Sequence, residues 1–485
     1  MFGKANSIIL AVLIPLGLCD LVHAAERPPN VVVILADDLG INDLHCYGRM
    51  DHATPNLDKL AASGAKFTNA YAACSVCSPT RAALLTGKSP ARLHLTTFLP
   101  GRPDTPAQKV LHPLINQQLP LEEITIAEHF KSAGYVTGCF GKWHLGGKGF
   151  LPTDQGFDHY EAGKANTTPS DTEGGKGEYA LTARAIKFIT QNKEKPFFLY
   201  VPHNSPHIPY AAKADLIAKN SEAFEPTYAA VIESLDECVG KVLTALDKLK
   251  LADNTIVIFT SDNGGLHVPE LTHERITHNA PYRAGKGYLY EGGLRVPAIV
   301  RYPGKVKPGT TVDLPVITMD WLPTLLELTG QKKVPGLDGV SIANVLTGAG
   351  TMKPRPLFWH IPHYTNQGGR PGGAIRDGQW KFIEFYDGGD ELYDLAKDPG
   401  ERTNLAVKEK AKVKSYKDAL AVWRLAMDAQ ENAPNPDFDA GRFQALYIRI
   451  DPSQYRPATA KREDHEAILA WRKGMNAVLP KPKKD

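Results

Sequence analysis

The chain has 485 residues, of which 42% are hydrophobic and 22% charged, and its formal net charge is +3 with histidine neutral. A chain of this length is too long for a single small core, and it predicts two or three domains or one large α/β sheet with a further subdomain. The composition is ordinary for a soluble globular enzyme. Because lysine and arginine are scattered and nearly balanced by acids, the charge does not indicate a nucleic-acid partner.

The first 25 residues are predicted to be a signal peptide. Lys4 gives a positive start, residues 8–19 form an apolar run, and small residues near Ala24 offer a cleavage site. The run is shorter than the ~20 residues that span a bilayer. A lipoprotein site at Cys19 is disfavoured because the preceding leucine is too large. We therefore expect an exported protein, periplasmic or extracellular, with no stable membrane span.

Loss of the signal peptide would leave five cysteines, and this odd number suggests a separate fate for one thiol. If that one is Cys77, the remaining four could form two disulfides in an oxidising compartment, in any of three connectivities. Four buried free thiols are equally compatible with the sequence. The four residues are Cys46, Cys74, Cys139 and Cys238.

Predicted strands and helices alternate through most of the chain. Buried strands are predicted at residues 30–36, 135–140, 196–201 and 255–260. Helices are predicted from Pro55, capped by Thr54, from a capping box of Thr125 and Glu128, and over about 224–251. This alternation predicts an α/β fold built on a doubly wound sheet flanked by helices.

The composition changes beyond residue 355. Residues 380–385 and 391–394 predict short antiparallel strands, and a helix is predicted over about 408–428, followed by a Pro-rich tail. We therefore predict a smaller C-terminal α+β subdomain. The predicted parts are the signal peptide at 1–25, the main α/β domain at 26–355 and the subdomain at 356–485.

Oxygen-bearing side chains directly follow two predicted strands of the main domain. Asp37 and Asp38 follow the first strand, and Asp262 and Asn263 follow the last. Ligands gather at the carboxyl ends of parallel strands, and hard oxygen donors favour calcium or magnesium over zinc. Either pair alone could be a turn former. Both together predict a metal site.

Residues 77–88 have the sequence Cys-Ser-Pro-Thr-Arg-Ala-Ala-Leu-Leu-Thr-Gly-Lys. Cys74 and Cys77 form a CxxC pair, which could be a redox pair or half of a metal site, but no thioredoxin-like context or second CxxC accompanies it. Cys77 could also be an ordinary buried structural cysteine. The segment resembles the motif of the type I sulfatase family: Cys or Ser, any residue, Pro, Ser or Thr, Arg, three residues, Leu, Thr, Gly. Every fixed position matches.

Further segments resemble the same family, in the same order, over nearly the whole mature chain. Lys142 and His144 lie in a segment similar to that of the family's sulfate-binding lysine and catalytic histidine. His207 and Lys286 lie in segments similar to its second histidine and second lysine segments. Singly, such residues are more often structural or solvated, but their shared order favours a site. The segments are 141–146, 205–209, 279–287, 291–297 and 391–399.

This resemblance implies an alkaline phosphatase-like fold, with a mixed, mostly parallel sheet, and hydrolysis of sulfate monoesters. In the family the motif cysteine, here Cys77, is oxidised to Cα-formylglycine by a formylglycine-generating enzyme, so that a hydrated aldehyde replaces the thiol as nucleophile. The implied calcium ligands are Asp37, Asp38, Asp262, Asn263 and an oxygen of residue 77.

The resemblance also implies roles for the basic residues. Lys142 and Lys286 would neutralise the sulfate oxygens, and Arg81 would fix the formylglycine diol. His207, with Lys286, would protonate the leaving alcohol. His144 would then take a proton from the remaining hydroxyl and so expel sulfate.

The substrate is only weakly encoded. The stretch 359–376 is dense in His, Arg and Gly, and in similar sulfatases this region approaches the pocket mouth. His363 and Arg370 are therefore predicted to bind a sulfated sugar, although ordinary turn and surface chemistry explains them nearly as well. The predicted partner is a sulfated small molecule or glycan, and export favours a polymeric or glycan substrate, because such molecules cannot enter a cell intact.

Two other functions are compatible with parts of this pattern. A formylglycine-dependent phosphonate monoester or phosphodiester hydrolase would use the same two lysines and calcium. An inactive, sulfatase-like glycan-binding protein would share the fold, but the presence of every inferred site residue argues against it.

Overall fold

The computed structural model describes Met1 and residues 27–164 and 176–480. The apolar run and cleavage site of the predicted signal peptide lie outside the described residues. Across the described ranges, no helix is both long and apolar enough to cross a membrane.

The helices and strands are numbered in chain order. The strands are β1 (Asn30–Ala36), β2 (Ala65–Phe67), β3 (Ala70–Tyr71), β4 (Val110–Leu111), β5 (Val136–Phe140), β6 (His159–Glu161), β7 (Phe197–Pro202), β8 (Thr255–Ser261), β9 (Ala298–Arg301), β10 (Thr310–Val312), β11 (Val316–Ile317), β12 (Leu357–Ile361), β13 (Gly372–Asp377), β14 (Trp380–Phe385), β15 (Asp390–Asp394) and β16 (Ala433–Pro434). The α-helices are α1 (Pro55–Ala62), α2 (Cys77–Thr86), α3 (Ile126–Ser132), α4 (Glu178–Gln191), α5 (Ala214–Lys219), α6 (Pro226–Lys248), α7 (Glu291–Leu294), α8 (Trp321–Leu328), α9 (Ala343–Thr347), α10 (Lys410–Ala426), α11 (Ala440–Phe443) and α12 (Arg462–Ala477).

The main sheet has eight strands in the order β10-β2-β9-β8-β1-β7-β5-β6. The run from β8 to β6 is parallel, and β9 lies antiparallel to both β8 and β2. The predicted mixed, mostly parallel sheet is therefore confirmed. Every residue of β1, β7 and β8 is buried, as expected for central strands covered on both faces.

The alternation of side chains along β1 divides the core into two layers. Val32 and Ile34 belong to one apolar cluster with side chains of α1, α4 and α6. Val31 and Val33 belong to a second cluster, with side chains of α2, α3 and α8. Successive strand residues point to opposite faces, so each face of the sheet has its own helical layer. The sheet is doubly wound, as predicted.

The predicted local signals correspond to the observed helix starts. Pro55 is the first residue of α1 and Thr54 is its N-cap residue, but the Thr54 side chain accepts no capping hydrogen bond. At α3, the Glu128 N–H donates to Thr125 Oγ1 at 3.2 Å, and the Thr125 N–H donates to Glu128 Oε2 at 2.7 Å. These two bonds form the predicted capping box and satisfy two backbone donors that the first helical turn leaves unpaired.

The C-terminal subdomain contains a four-stranded antiparallel sheet in the order β12-β13-β14-β15, and α10 packs against it. The predicted Pro-rich tail is wrong in one respect, because α12 occupies sixteen residues of it. Its prolines flank the helix rather than interrupt it. Ile468, Trp471 and Met475 of α12 join the same apolar cluster as Val32 of β1, so this helix packs against the main domain.

Cys77 and the four other cysteines of the described residues form no disulfide in the structure. Cys74, Cys139 and Cys238 are buried and Cys46 is half-buried. Of the two alternatives that the sequence left open, the structure therefore has the one without disulfides.

Candidate active site

The two acidic strand ends meet, as the sequence predicted. β1 and β8 are adjacent and parallel, with Ala36 paired to Ser261. Asp37, Asp38, Asp262 and Asn263 therefore emerge side by side, and each is at most 2% exposed. Asp262 Oδ1 accepts a hydrogen bond from the Asp38 N–H at 3.1 Å, and Asn263 Nδ2 donates to Asp38 Oδ1 at 2.8 Å.

Cys77 is the first residue of α2, which is buried along its whole length. A ligand atom of Cys77 lies within 4.8 Å of ligand atoms of Asp37, Asp38 and His207. Arg81, one turn further along α2, donates through Nε and Nη2 to Asp262 Oδ2 at 2.9 and 2.7 Å. Cys77 therefore lies at the N-terminal end of α2, where the helix dipole is positive, and faces the acidic cluster. Arg81 fixes this end of the helix through its bonds to Asp262.

Two lysines approach the cluster and each contacts one carboxylate. Lys142 Nζ lies 2.7 Å from Asp37 Oδ2, and Lys286 Nζ lies 2.7 Å from Asp38 Oδ2. Arg81 also donates to the Lys142 carbonyl at 2.9 Å, which ties the loop after β5 to α2. Residues that are 209 positions apart in sequence, 77 and 286, therefore line one cavity.

The two predicted histidines also line this cavity. His144 Nε2 lies 2.8 Å from the Leu99 carbonyl, which can only accept, so Nε2 carries the proton. Its Nδ1 is buried without a hydrogen-bond partner and presents a lone pair. His207 Nε2 lies 3.6 Å from Asp38 Oδ2, while its Nδ1 is bonded to the Ile208 carbonyl.

Burial and the dense charges shift the pKa values of the site. Burial, with Lys142 nearby, lowers the pKa of His144 to about 3, and burial with Lys286 lowers the pKa of His207 to about 4. Both imidazoles are therefore neutral at neutral pH in the free protein. Burial would raise the pKa of Asp37, but Lys142, His207 and Arg81 hold it well below its usual value.

The thiol of Cys77 is poorly suited to act as a nucleophile. Burial raises its pKa to about 12, in spite of the opposing effect of Lys142 and Lys286. A thiol with this pKa stays protonated at neutral pH, and the thiolate is the reactive form. Residue 77 is well placed for attack, but its unmodified thiol is not reactive at neutral pH.

The cluster fits a hard divalent cation. Asp37 Oδ1 and Asn263 Oδ1 are buried and accept no hydrogen bond, although Arg81 Nη2 lies 3.5 Å from Asp37 Oδ1 as an ion-pair contact. Such oxygens are costly to bury unpaired, and carboxylate and amide oxygens are the donors that calcium and magnesium prefer. With Asp38 and Asp262 beside them, the described residues offer an oxygen-lined cradle.

The cavity over this cluster has a volume of about 530 Å³, a size that accommodates a small ligand. Its floor is formed by Asp37, Cys77 and the two lysines. The sequence did not single out several of its other lining residues, because no motif marks them. They include Phe98, Tyr160, Lys176, Asn204, Glu270, Asn366 and Gln367.

His363 and Arg370, the predicted sugar contacts, do not belong to the lining of this cavity. His363 is 2% exposed, and its Nε2 lies 2.8 Å from Thr96 Oγ1. Arg370 donates through Nε to Asp387 Oδ2 at 3.0 Å and covers the ring of Phe385. Their polar groups are engaged inside the protein, and the same stretch lines the cavity with Asn366 and Gln367 instead.

Comparison with known proteins agrees with this geometry. Residues 29–331 match the family model described as Sulfatase, and residues 284–423 match that of the N-sulphoglucosamine sulphohydrolase C-terminal region. The chain is 35% identical to arylsulfatase A of Homo sapiens over 83% of its length and 87% of that protein. It is 31% identical to an N-acetylgalactosamine-6-O-sulfatase of Bacteroides thetaiotaomicron, over 81% and 93%.

A solved structure is also similar: Ps i-CgsB in complex with k-i-k-neocarrahexaose has a TM-score of 0.71 and 28% identity, over 91% of this chain and all of that one. The fold and the family match together define a hydrolase of sulfuric esters. The protein belongs to the sulfatase family.

Proposed function

We propose that this sulfatase is exported and removes sulfate from monoesters on sulfated glycans, using a formylglycine made from Cys77 and a calcium ion. The observation that carries the proposal is the position of Cys77. It begins a buried helix, lies among Asp37, Asp38 and His207, and shares its cavity with two lysines.

Modification of Cys77 is supported by its chemistry and by the complete motif. The buried thiol is protonated at neutral pH, whereas a hydrated formylglycine would supply an oxygen nucleophile at the same place. A formylglycine-generating enzyme is the maturation partner that this requires. Arg81, held by Asp262, keeps the first turn of α2 in place for that group.

Asp37, Asp38, Asp262 and Asn263 would hold the calcium ion, together with residue 77. When bound, the ion supplies positive charge to the sulfate oxygens. Lys142 and Lys286, each of which is ion-paired with a different carboxylate of the cluster, would add two further positive charges. A sulfate ester is thereby positioned for attack by charges fixed before it arrives.

The histidines are suited to opposite proton transfers. His144 presents a bare Nδ1, because the Leu99 carbonyl fixes its proton on Nε2, and it can therefore accept a proton. His207 is neutral in the free protein, but an anion bound beside it favours its charged form and raises its pKa. The charged His207 can then protonate the leaving alcohol oxygen.

A sulfated glycan is favoured as substrate by two kinds of observation. The cavity is large enough for a sugar unit and carries hydrogen-bonding side chains above its cationic floor. Relatives include a protein named as an N-acetylgalactosamine-6-O-sulfatase and a structure with a bound neocarrahexaose. A sulfated hexose or N-acetylhexosamine is therefore the proposed unit, reached outside the cell after export.

The proposed reaction is tested by comparing kcat/KM on 4-nitrophenyl sulfate with that on bis-4-nitrophenyl phosphate and a phenyl phosphonate monoester. We expect the sulfate to be preferred by at least about tenfold, equivalent to about 1.4 kcal/mol of transition-state stabilisation. A preference for either phosphorus ester would instead identify the protein as a phosphonate monoester or phosphodiester hydrolase. No turnover of any ester by protein carrying formylglycine would favour the inactive binding protein.

A further inference from the structure

One wall of the active-site cavity carries a hydrogen-bonded pair of side chains. Gln367 Nε2 donates to Glu270 Oε2 at 2.6 Å, and both residues line the cavity together with Lys286. Glu270 lies near enough to Lys286 to help raise the pKa of that lysine. The pair therefore stands beside the sulfate-binding floor, where the alcohol part of a substrate would lie.

A single arginine holds both halves of this wall. Arg472 of α12 donates through Nε to the carbonyl of Pro269 and through Nη1 to the carbonyl of Asn366, both at 2.6 Å. These carbonyls immediately precede Glu270 and Gln367. Because the guanidinium is planar and rigid, its two bonds fix the spacing between the two segments. Arg472 is 7% exposed, so solvent does not compete strongly for its donors.

Further contacts hold the Gln367 segment from its other side. The Tyr288 hydroxyl donates to the Gln367 carbonyl at 2.6 Å, and Arg102 Nη1 donates to Asn366 Oδ1 at 2.9 Å. A Cβ on Gly368 would lie 2.7 Å from the ring of Trp471, so α12 packs directly on the backbone of this loop. The wall is a built part of the fold rather than a free surface loop.

Helix α12 lies beyond both matched family regions, which end at residues 331 and 423. It also contacts the main core, where Trp471 Nε1 donates to the Leu446 carbonyl at 2.8 Å. Helix α12, the last helix of the described residues, thus holds part of the cavity wall from a position beyond the two matched family regions.

We propose that Glu270 and Gln367 form the subsite for hydroxyl groups of the sugar unit that carries the sulfate, and that Arg472 is the positioning residue for this pair. The inference rests on the proposed glycan sulfatase activity and specifies its substrate. The Glu270 carboxylate accepts hydrogen bonds from hydroxyls but repels a second anion. A neutral, hydroxyl-bearing face of a singly sulfated sugar therefore fits this wall better than a uronate or a neighbouring sulfate.

Glu270→Gln tests the subsite, because it keeps the shape and removes the charge. The readout is the ratio of kcat/KM on N-acetylgalactosamine 6-sulfate or galactose 6-sulfate, whichever the wild type prefers, to kcat/KM on 4-nitrophenyl sulfate. We expect this ratio to fall by about tenfold to a hundredfold, because the aryl ester has no hydroxyls to bind. Relative activity on the corresponding disulfated sugar is expected to rise.

Arg472→Lys tests the positioning role, since lysine keeps the charge but lacks the fork that reaches both carbonyls. We expect a raised KM for the sugar sulfate with kcat changed less. Because Arg472 acts through the pair, the double variant with Glu270→Gln is expected to lose little more of the ratio than Glu270→Gln alone. Arg424→Lys, on α10 and paired with Glu384, is the control and should leave the ratio unchanged.

An unchanged ratio in Glu270→Gln, whether activity on both substrates falls equally or does not fall, would overturn the subsite. Fully additive losses in the double variant would overturn the positioning role. Thermal denaturation midpoints separate these results from misfolding of the Arg472 variant, and Glu270→Gln keeps the subsite testable if that variant is unstable. If the wild type hydrolyses neither the sugar sulfates nor 4-nitrophenyl sulfate, the proposed function itself fails, which is a distinct outcome.

Discussion

Cys77→Ala is expected to abolish sulfate ester hydrolysis while the protein remains folded. Residue 77 would supply the attacking oxygen once modified, and no other nucleophile of the described cavity lies at the positive end of α2. Loss of a covalent nucleophile lowers kcat by factors on the order of 10⁴ to 10⁶. The measurement is kcat on 4-nitrophenyl sulfate, with circular dichroism as the check on folding.

The matched control for this substitution is Cys238→Ala. Cys238 is also buried and forms no disulfide, but it lies in α6, within the helical layer of the main domain. The Cys238→Ala substitution removes the same atom and leaves a similar small cavity, so this variant should retain the wild-type kcat. Activity of Cys77→Ala within about tenfold of the wild type, a loss of under 1.4 kcal/mol, would remove residue 77 from the mechanism.

Asp262→Asn is expected to lose both the bound metal and the activity. The substitution keeps the shape of the side chain but removes the charge that would hold calcium and that accepts both bonds from Arg81. Disrupting a buried ion pair costs about 3–5 kcal/mol, so the free energy of unfolding should fall as well. Elemental analysis and kcat, measured on the folded fraction, distinguish the site effect from this loss of stability.

Asp320→Asn separates the two effects. Asp320 is fully buried and pairs with Arg355 near α8, outside the cavity, so its substitution should lower stability but leave metal content and kcat per folded molecule unchanged. Zinc or no divalent ion in the wild-type protein, or full calcium in Asp262→Asn, would contradict the assignment of the oxygen cluster as a calcium site.

The core of the site was predictable because its signals are local. A strand buried on both faces is a continuous apolar run, so β1 and β8 could be found in the sequence, and the residues that follow such strands lie at one edge. The helical spacing of Cys77 and Arg81 is likewise local. The resemblance of further segments to the family, in the same order, then linked these residues to Lys142 and Lys286, which spacing alone could not have done.

The cavity wall was not predictable, because its contacts are long-range. Gln367 contacts Glu270 97 residues away, and neither has a distinctive neighbourhood in the sequence. The stretch 359–376 was correctly expected near the pocket, but Asp387 pairs with Arg370, and Thr96 engages His363. Which side chains of a loop face a cavity depends on such pairings, which composition does not reveal.

The most direct test is mass spectrometry of the peptide that contains residue 77, residues 67–81 after tryptic cleavage, from protein produced together with a formylglycine-generating enzyme. We predict that this peptide carries an aldehyde in place of the thiol, and that kcat on 4-nitrophenyl sulfate rises in proportion to the modified fraction. Full sulfatase activity in protein whose Cys77 is entirely unmodified would contradict the central claim.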